Sequence, residues 1–146
     1  MSGLVADTSA LLAALFAEPQ RDAVLVALAE ADDALLSSCS LLEATIVAQS
    51  RLGPEGQAEL ERLLDAFGVE IAAFTADQAT LAGDAWRRYG KGRHPASLNI
   101  LDCCSYALAR AARRPLLAIG HDFARTDVEL VELIGGRRLA GADRSP

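Results

Sequence analysis

The stretch that decides the fold is Leu4-Val5-Ala6-Asp7-Thr8-Ser9-Ala10. A short apolar run ends abruptly on a carboxylate. Two hydroxyl residues follow, and an apolar helical pattern continues from Ala10 to Ala17. This order predicts a buried first strand over residues 3–6 that delivers Asp7 to its C-terminal end, at the mouth of a helix. In open α/β sheets that edge is where ligands bind. Every later acid that reaches a comparable edge is therefore a candidate partner for Asp7. Asp is also a favoured helix N-cap, but Thr8 and Ser9 can cap as well, which frees Asp7 for chemistry.

Outward from that stretch, strands and helices alternate. A helix over 10–17 is broken by Glu18-Pro19, and a second runs over 20–31 with Val24, Leu25, Leu28 and Ala31 on one face. An apolar run over 34–38 reads as the second strand. Ser40-Leu41-Leu42-Glu43 has the capping-box form, opening a helix to Leu52 that Gly53-Pro54 stops. An amphipathic helix over 55–67 precedes a third strand over 69–74, and Thr75 opens a helix to Tyr89. Gly90-Lys91-Gly92-Arg93-His94-Pro95 is a basic loop, Ser97 is the expected next N-cap, and a long helix covers 98–113. A fourth strand is expected over 116–119 and a weak last one over 129–133. The pattern is that of an α/β fold, a mostly parallel sheet between two helical layers. One domain is expected over 1–134, followed by a polar, Gly- and Arg-containing tail over 135–146, expected to be flexible.

Composition narrows the classes. At 146 residues, 51% hydrophobic and 23% charged, the chain is too apolar for disorder and long enough for a real core. The longest uncharged run, Thr8 to Ala17, is ten residues, too short to span a bilayer, and no basic segment precedes it as a signal peptide requires. Cys39, Cys103 and Cys104 make a poor disulfide framework, and no metal-type Cys/His spacing is present. A soluble, reduced, cytoplasmic protein without a membrane role is expected. The net charge of −6 argues against a general nucleic-acid coat. It leaves a nuclease open, because carboxylates that hold a metal are themselves a large negative contribution.

Four acids carry the chemistry. Glu43 is explained by the capping box, yet a carboxylate in the first turn of that helix sits near the same sheet edge as Asp7, where helix N-termini favour anions. Asp102 lies in Leu98-Asn99-Ile100-Leu101-Asp102-Cys103-Cys104-Ser105-Tyr106-Ala107-Leu108, an otherwise apolar helix. An ionised carboxylate buried there is costly unless it is paired or binds metal, and Asn99 and Tyr106 share its face and can orient it. Asp122 follows the fourth strand as Asp7 follows the first, with Asp127 as the alternative. An all-oxygen set of this kind favours Mg²⁺, with Mn²⁺ possible, over zinc, and such sites act on phosphates. One or two ions are both compatible with it. No Gly-x-Gly-x-x-Gly or Walker loop is present, and a Ser/His/Asp triad has only His94 and His121 to draw on, neither beside a Gly-x-Ser-x-Gly elbow. A phosphoacceptor receiver domain needs paired acids after the first strand and a late lysine, and the chain has neither.

Five blocks in order then resemble a known family. Asp7-Thr8-Ser9-Ala10, Ser40-x-x-Glu43-Ala44, Gly90-x-Gly-x-His94-Pro95-Ala96-x-Leu98-Asn99, Asp102-Cys103-x-Ser105-Tyr106-Ala107-Leu108-Ala109 and Asp122-Phe123-x-x-Thr126-Asp127 are similar to those of PIN-domain ribonucleases, more narrowly the VapC toxins of toxin–antitoxin pairs. The resemblance spans Asp7 to Val131. It implies a PIN-like three-layer α/β/α fold and a metal-dependent endoribonuclease that cuts phosphodiester bonds with a metal-activated water. It also implies a homodimer neutralised by a VapB-type antitoxin, with DNA reached only through that antitoxin. On these positions Asp7, Glu43, Asp102 and Asp122 are the acidic quartet for Mg²⁺, and Thr8, Ser9 and Asn99 support the site. Arg87, Arg93 and His94 become candidates for contacts to the RNA backbone. Two positions depart from the pattern: Leu101 stands where the family often has Gly, and His121 where Asn or Asp is frequent. The alternative is a catalytically weak PIN-like module that works through dimerisation and antitoxin binding.

Overall fold

The computed structural model describes residues 3–133. Its strands are β1 (Leu4–Ala6), β2 (Ala34–Ser37), β3 (Val69–Ala72) and β4 (Leu116–Leu117). The helices are α1 (Thr8–Leu15), α2 (Arg21–Glu30), α3 (Ser38–Leu52), α4 (Glu55–Ala66), α5 (Ala76–Tyr89) and α6 (Ile100–Ala112). The sheet is all parallel in the order β3-β2-β1-β4.

Strand parity explains the layers. Along β1, Leu4 and Ala6 face one side and Val5 the other, as the two-residue strand period demands. Leu4 and Ala6 join Leu36 and Leu117 in a core closed by Leu11, Val24, Leu28, Leu60 and Leu64 of α1, α2 and α4. Val5 joins Leu116 in a second core with Ala82 and Ala85 of α5 and Tyr106, Ala107 and Leu108 of α6. Two buried faces make β1 apolar throughout. The edge strand β3, by contrast, leaves Glu70 and Ile71 exposed. On the first face α4 closes tightly on α3: a Cβ at Gly56 would lie 2.2 Å from the Ala48 carbonyl oxygen. No helix among the described residues is long and apolar enough to cross a membrane.

Several local expectations are corrected, among them the third strand, which ends at Ala72 rather than at residue 74. Helix α1 begins at Thr8, two residues early, because Asp7 itself is the N-cap and accepts from Ser9 N. Helix α3 begins at Ser38 with Ser37 as its cap, so Ser40-x-x-Glu43 is not a capping box and Ser40 is buried inside the first turn. Helix α6 is capped by Asn99 rather than Ser97, whose φ of 56° lies in the left-handed region. Finally, β4 stops after Leu117, and Ile119 N donates to Ser9 Oγ (3.0 Å) rather than to a strand. The weak last strand is reduced to a single parallel bridge between Leu116 and Leu130. The tail expected from residue 135 lies outside the described residues.

Candidate active site

The sheet order puts β1 at the centre, so Asp7 leaves it between the C-terminal ends of β2 and β4, with α3 and α6 packed nearby. Asp7 is 5% exposed. Its Oδ2 accepts from Ser9 N (3.0 Å) and Ser9 Oγ (2.7 Å), and its Oδ1 from Ser105 Oγ (2.6 Å). Three donors offset part of the cost of burying a carboxylate. Capping and site chemistry are therefore not alternatives for Asp7, since the cap bond leaves part of the carboxylate available.

Asp102 occupies the first turn of α6. Asn99 N donates to its Oδ2 (2.9 Å), while Asp102 N donates to Asn99 Oδ1 (2.8 Å), a reciprocal capping box that locks the rotamer. Burial pushes the Asp102 carboxyl up to about 6 against the pull of the Asn99 N–H, and the negative charges of Asp7, Asp122 and Glu43 add to the rise. Those four acids thus share one electrostatic neighbourhood although they come from four separate segments. Glu43 reaches it from the second turn of α3, half-buried, and Asp122 from the exposed turn after β4. Among the described residues, the ion pairs engage Asp33, Glu59, Asp84 and Asp127, and none of these four acids. Nor do three Asp, Glu, His or Cys side chains there converge into a ready chelate.

Asp127 stands elsewhere. It accepts from Tyr106 Oη and pairs with Arg88 Nη2 (3.3 Å) and Arg110 Nη1 (3.4 Å). Burial alone would raise its carboxyl, but the Tyr106 hydroxyl and the two guanidiniums hold it below the usual range. Tyr106 therefore serves Asp127 and not Asp102, a correction to the helical-spacing expectation. Its ring turns toward α5, 6.0 Å from the Tyr89 ring.

The remaining expected residues separate into groups. Thr8 is buried and donates to the Ser40 carbonyl (3.3 Å). Ser9 and Asn99 are engaged with Asp7 and Asp102 as described. Arg87 is exposed and pairs with Asp84 one turn back. Arg93 lies over the Trp86 ring, 4.4 Å from its centroid. His94 Nδ1 accepts from Ala96 N (3.0 Å) and its ring packs edge-on to Tyr89, so His94 shapes the basic loop. Leu101 is half-buried and lines an apolar cleft of about 570 Å³ with Cys39, Phe74, Trp86, Ile100 and Cys104. Burial pushes the Cys103 thiol up to about 11 and, with Cys39 adding to the rise, the Cys104 thiol up to about 12. These are packing thiols, not nucleophiles.

Sequence reasoning gave Ser40 only a helix-capping role and Ser105 none, yet their hydroxyls meet at 3.1 Å where α3 and α6 touch. One signal was present: Ser105 is three residues after Asp102, on the same face of an otherwise apolar helix turn.

Against known proteins, residues 4–129 match the PIN domain. The chain belongs to the PIN-domain family. A ribonuclease VapC of Mycolicibacterium smegmatis is 50% identical over 130 residues, 88% of this chain and 99% of that protein. Among solved structures, Mycobacterium tuberculosis VapC20, a sarcin-ricin-loop-cleaving toxin, superposes with a TM-score of 0.72 at 19% identity, covering 88% of this chain and 98% of that one. VapBC2 from Rickettsia felis, bound to a DNA fragment of its promoter, superposes at 0.71 and 20% identity, covering 90% and 98%. These two solved structures share the three-layer α/β fold described above.

Proposed function

We propose that this protein is a metal-dependent endoribonuclease acting as the toxin of a toxin–antitoxin pair. The observation that carries the reading is the group of four acids at the C-terminal sheet edge that no lysine or arginine among the described residues neutralises. A carboxylate group left in that state in a partly buried setting is costly unless a cation completes it. The donors are all oxygen, which fits Mg²⁺ or Mn²⁺. Asp7 and Asp102 would be the principal ligands, with Glu43 and Asp122 completing the set directly or through water. When bound, the ion would polarise the scissile phosphate and lower the pKa of an attacking water.

The chain's own residues do the rest. Ser9 and Ser105 orient Asp7, and the Asn99 box orients Asp102. Arg87, Lys91 and Arg93 are exposed at the end of α5 and in the loop that leads to α6. They would supply backbone contacts to RNA in a protein whose net charge is otherwise repulsive. The exposed apolar residues Leu42 and Ile46 on α3, Trp86 on α5 and Ile100 on α6 suit a protein partner. This supports a homodimer and a VapB-type antitoxin; in the same reading promoter DNA is engaged only through the antitoxin and the protein acts in the cytoplasm. The protein's relatives named as ribonucleases and the toxin–antitoxin assemblies among its structural neighbours support the same reading.

A purely interacting module would gain nothing from an uncompensated Asp7 and Asp102. The direct test is cleavage of total cellular RNA with added Mg²⁺ or Mn²⁺. The wild type should cut, EDTA should silence it, and Asp7→Asn should lower the rate at least about 10²-fold with an unchanged circular-dichroism spectrum. Cleavage that persists in EDTA and in Asp7→Asn would sink the proposal in favour of the interaction-only module or a contaminating nuclease.

A further inference from the structure

Where α3 meets α6, Ser40 and Ser105 are almost wholly sealed, 1% and 0% exposed. Neither hydroxyl reaches bulk solvent, so the direction of each hydrogen bond is set by the protein groups around it. The Asp7 carboxylate only accepts. The single hydrogen of Ser105 therefore goes to Asp7 Oδ1 at 2.6 Å. Ser105 Oγ is then left as an acceptor, and Ser40, 3.1 Å away, must be the donor to it. The result is a one-way chain, Ser40 to Ser105 to Asp7, that ends on a carboxylate.

That chain also limits what Asp7 can do. A carboxylate offers roughly four lone-pair positions. Ser105, Ser9 N and Ser9 Oγ occupy three, which leaves one for a cation. Ser105 and Asp102 lie one turn apart on α6, so the helix that presents Asp102 also grips Asp7. The separation of these two acids is thereby tied to one rigid element rather than to the loops between them.

We propose that Ser105, seated by Ser40, is a positioning residue that presents Asp7 to a divalent cation through a single oxygen lone pair and keeps it in register with Asp102; this rests on the metal-centre reading above. Partners that orient a ligating carboxylate are commonly worth about 10–100-fold in metal affinity. Ser105→Ala removes the donor to Asp7. Ser40→Ala removes only the bond that seats Ser105, which retains its own hydrogen, so its effect should be smaller.

The test is calorimetric titration of the full chain with Mn²⁺, alongside RNA cleavage as a function of Mn²⁺ concentration. Ser105→Ala should bind Mn²⁺ about 10-fold more weakly. Its cleavage should be lost at low Mn²⁺ and recover as Mn²⁺ is raised, a rescue that a folding defect would not show. Ser40→Ala should show the same displacement at less than half the size on a logarithmic scale, and it carries the test if Ser105→Ala does not fold. Ser105→Thr, which keeps the hydroxyl, should titrate closer to wild type than Ser105→Ala. Wild-type affinity in both alanine variants, or lost cleavage that no Mn²⁺ concentration restores in a folded variant, would overturn the inference while leaving the metal centre standing. A wild-type protein that takes up no Mn²⁺ would remove the centre and the inference together.

Discussion

Two aspartates on neighbouring elements show how one residue type is put to opposite uses. Asp127 sits among Tyr106, Arg88 and Arg110, and its carboxyl is held low. Asp102 sits beside Asp7, Glu43 and Asp122 with the Asn99 backbone N–H as its one donor among the described residues, and its carboxyl is pushed up to about 6. Asp127 is a complete structural unit that asks for nothing further. Asp102 belongs to a set left short of positive charge. The position of an acid within a sequence motif does not distinguish the two roles, whereas the charges facing it do.

The largest expected difference between them is in catalysis. Asp102→Asn should reduce RNA cleavage by at least about 10²-fold, whereas Asp127→Asn should leave the rate within about twofold. A matching loss in Asp127→Asn, measured at a temperature where both variants are folded, would erase the distinction. Asp122→Asn, read in the same assay, should fall with Asp102→Asn and so separate Asp122 from Asp127 as the fourth acid.

Stability should run the other way. A carboxyl that rises from 3.8 to about 6 on folding makes the folded state bind more protons than the unfolded one between those values. Its ionisation therefore lowers stability as pH climbs through that window, and the loss persists above it. In metal-free protein at pH 7, Asp102→Asn should raise stability by about 1–2 kcal/mol, after discounting the full shift for partial solvent screening. At pH 4 the gain should almost disappear. Asp127 has a lowered carboxyl, so its contribution is present above pH 4 and fades as the pH falls below it. Asp127→Asn should cost up to about 1 kcal/mol at pH 7. Urea melts at the two pH values check both signs, and a destabilised Asp102→Asn at pH 7 would break the contrast.

The smallest effect concerns the cap. Asn99→Ala removes the side-chain half of the reciprocal box and should cost about 1 kcal/mol, with Mn²⁺ binding weakened less than in Asp102→Asn. Thermal melts and titrations on the same preparation separate the two.

How much of this could be read from the chain follows from how far each interaction reaches. The apolar runs at 4–6, 34–37 and 116–117 are strands buried on both faces, and burial of that kind shows in composition. Asp7 and Asp102 were legible because each interrupts an apolar element. The start of α3 was not. Ser37, Ser38 and Ser40 all have cap chemistry, and the Ser-x-x-Glu spacing favoured the wrong one. The choice was made by β2 running into α3 without a loop, so that Ser37 ends the strand and caps the helix at once. The Asp7–Ser105 and Ser40–Ser105 contacts join residues 98 and 65 positions apart. No local pattern announces a hydroxyl that will meet a carboxylate at that separation. Tyr106 misled for the opposite reason. Helical spacing placed it correctly beside Asp102, but Arg88 and Arg110 had already drawn Asp127 to its hydroxyl.

The central place of β1 has a consequence for the chain while it is being made. Strand β1 is the first to be synthesised, yet one of its two neighbours is β4, which begins at Leu116. At translation rates of about 5–20 residues per second, Asp7 waits on the order of ten seconds before Asp122 exists. Until then β1 lacks its β4 neighbour, and Asp7 has neither Ser105 nor Asp102 beside it until α6 is made. On the proposed reading, a centre assembled this way cannot cut the messenger that encodes it until nearly the whole domain has been delivered. A chain that stops short of α6 leaves a fragment that lacks the site.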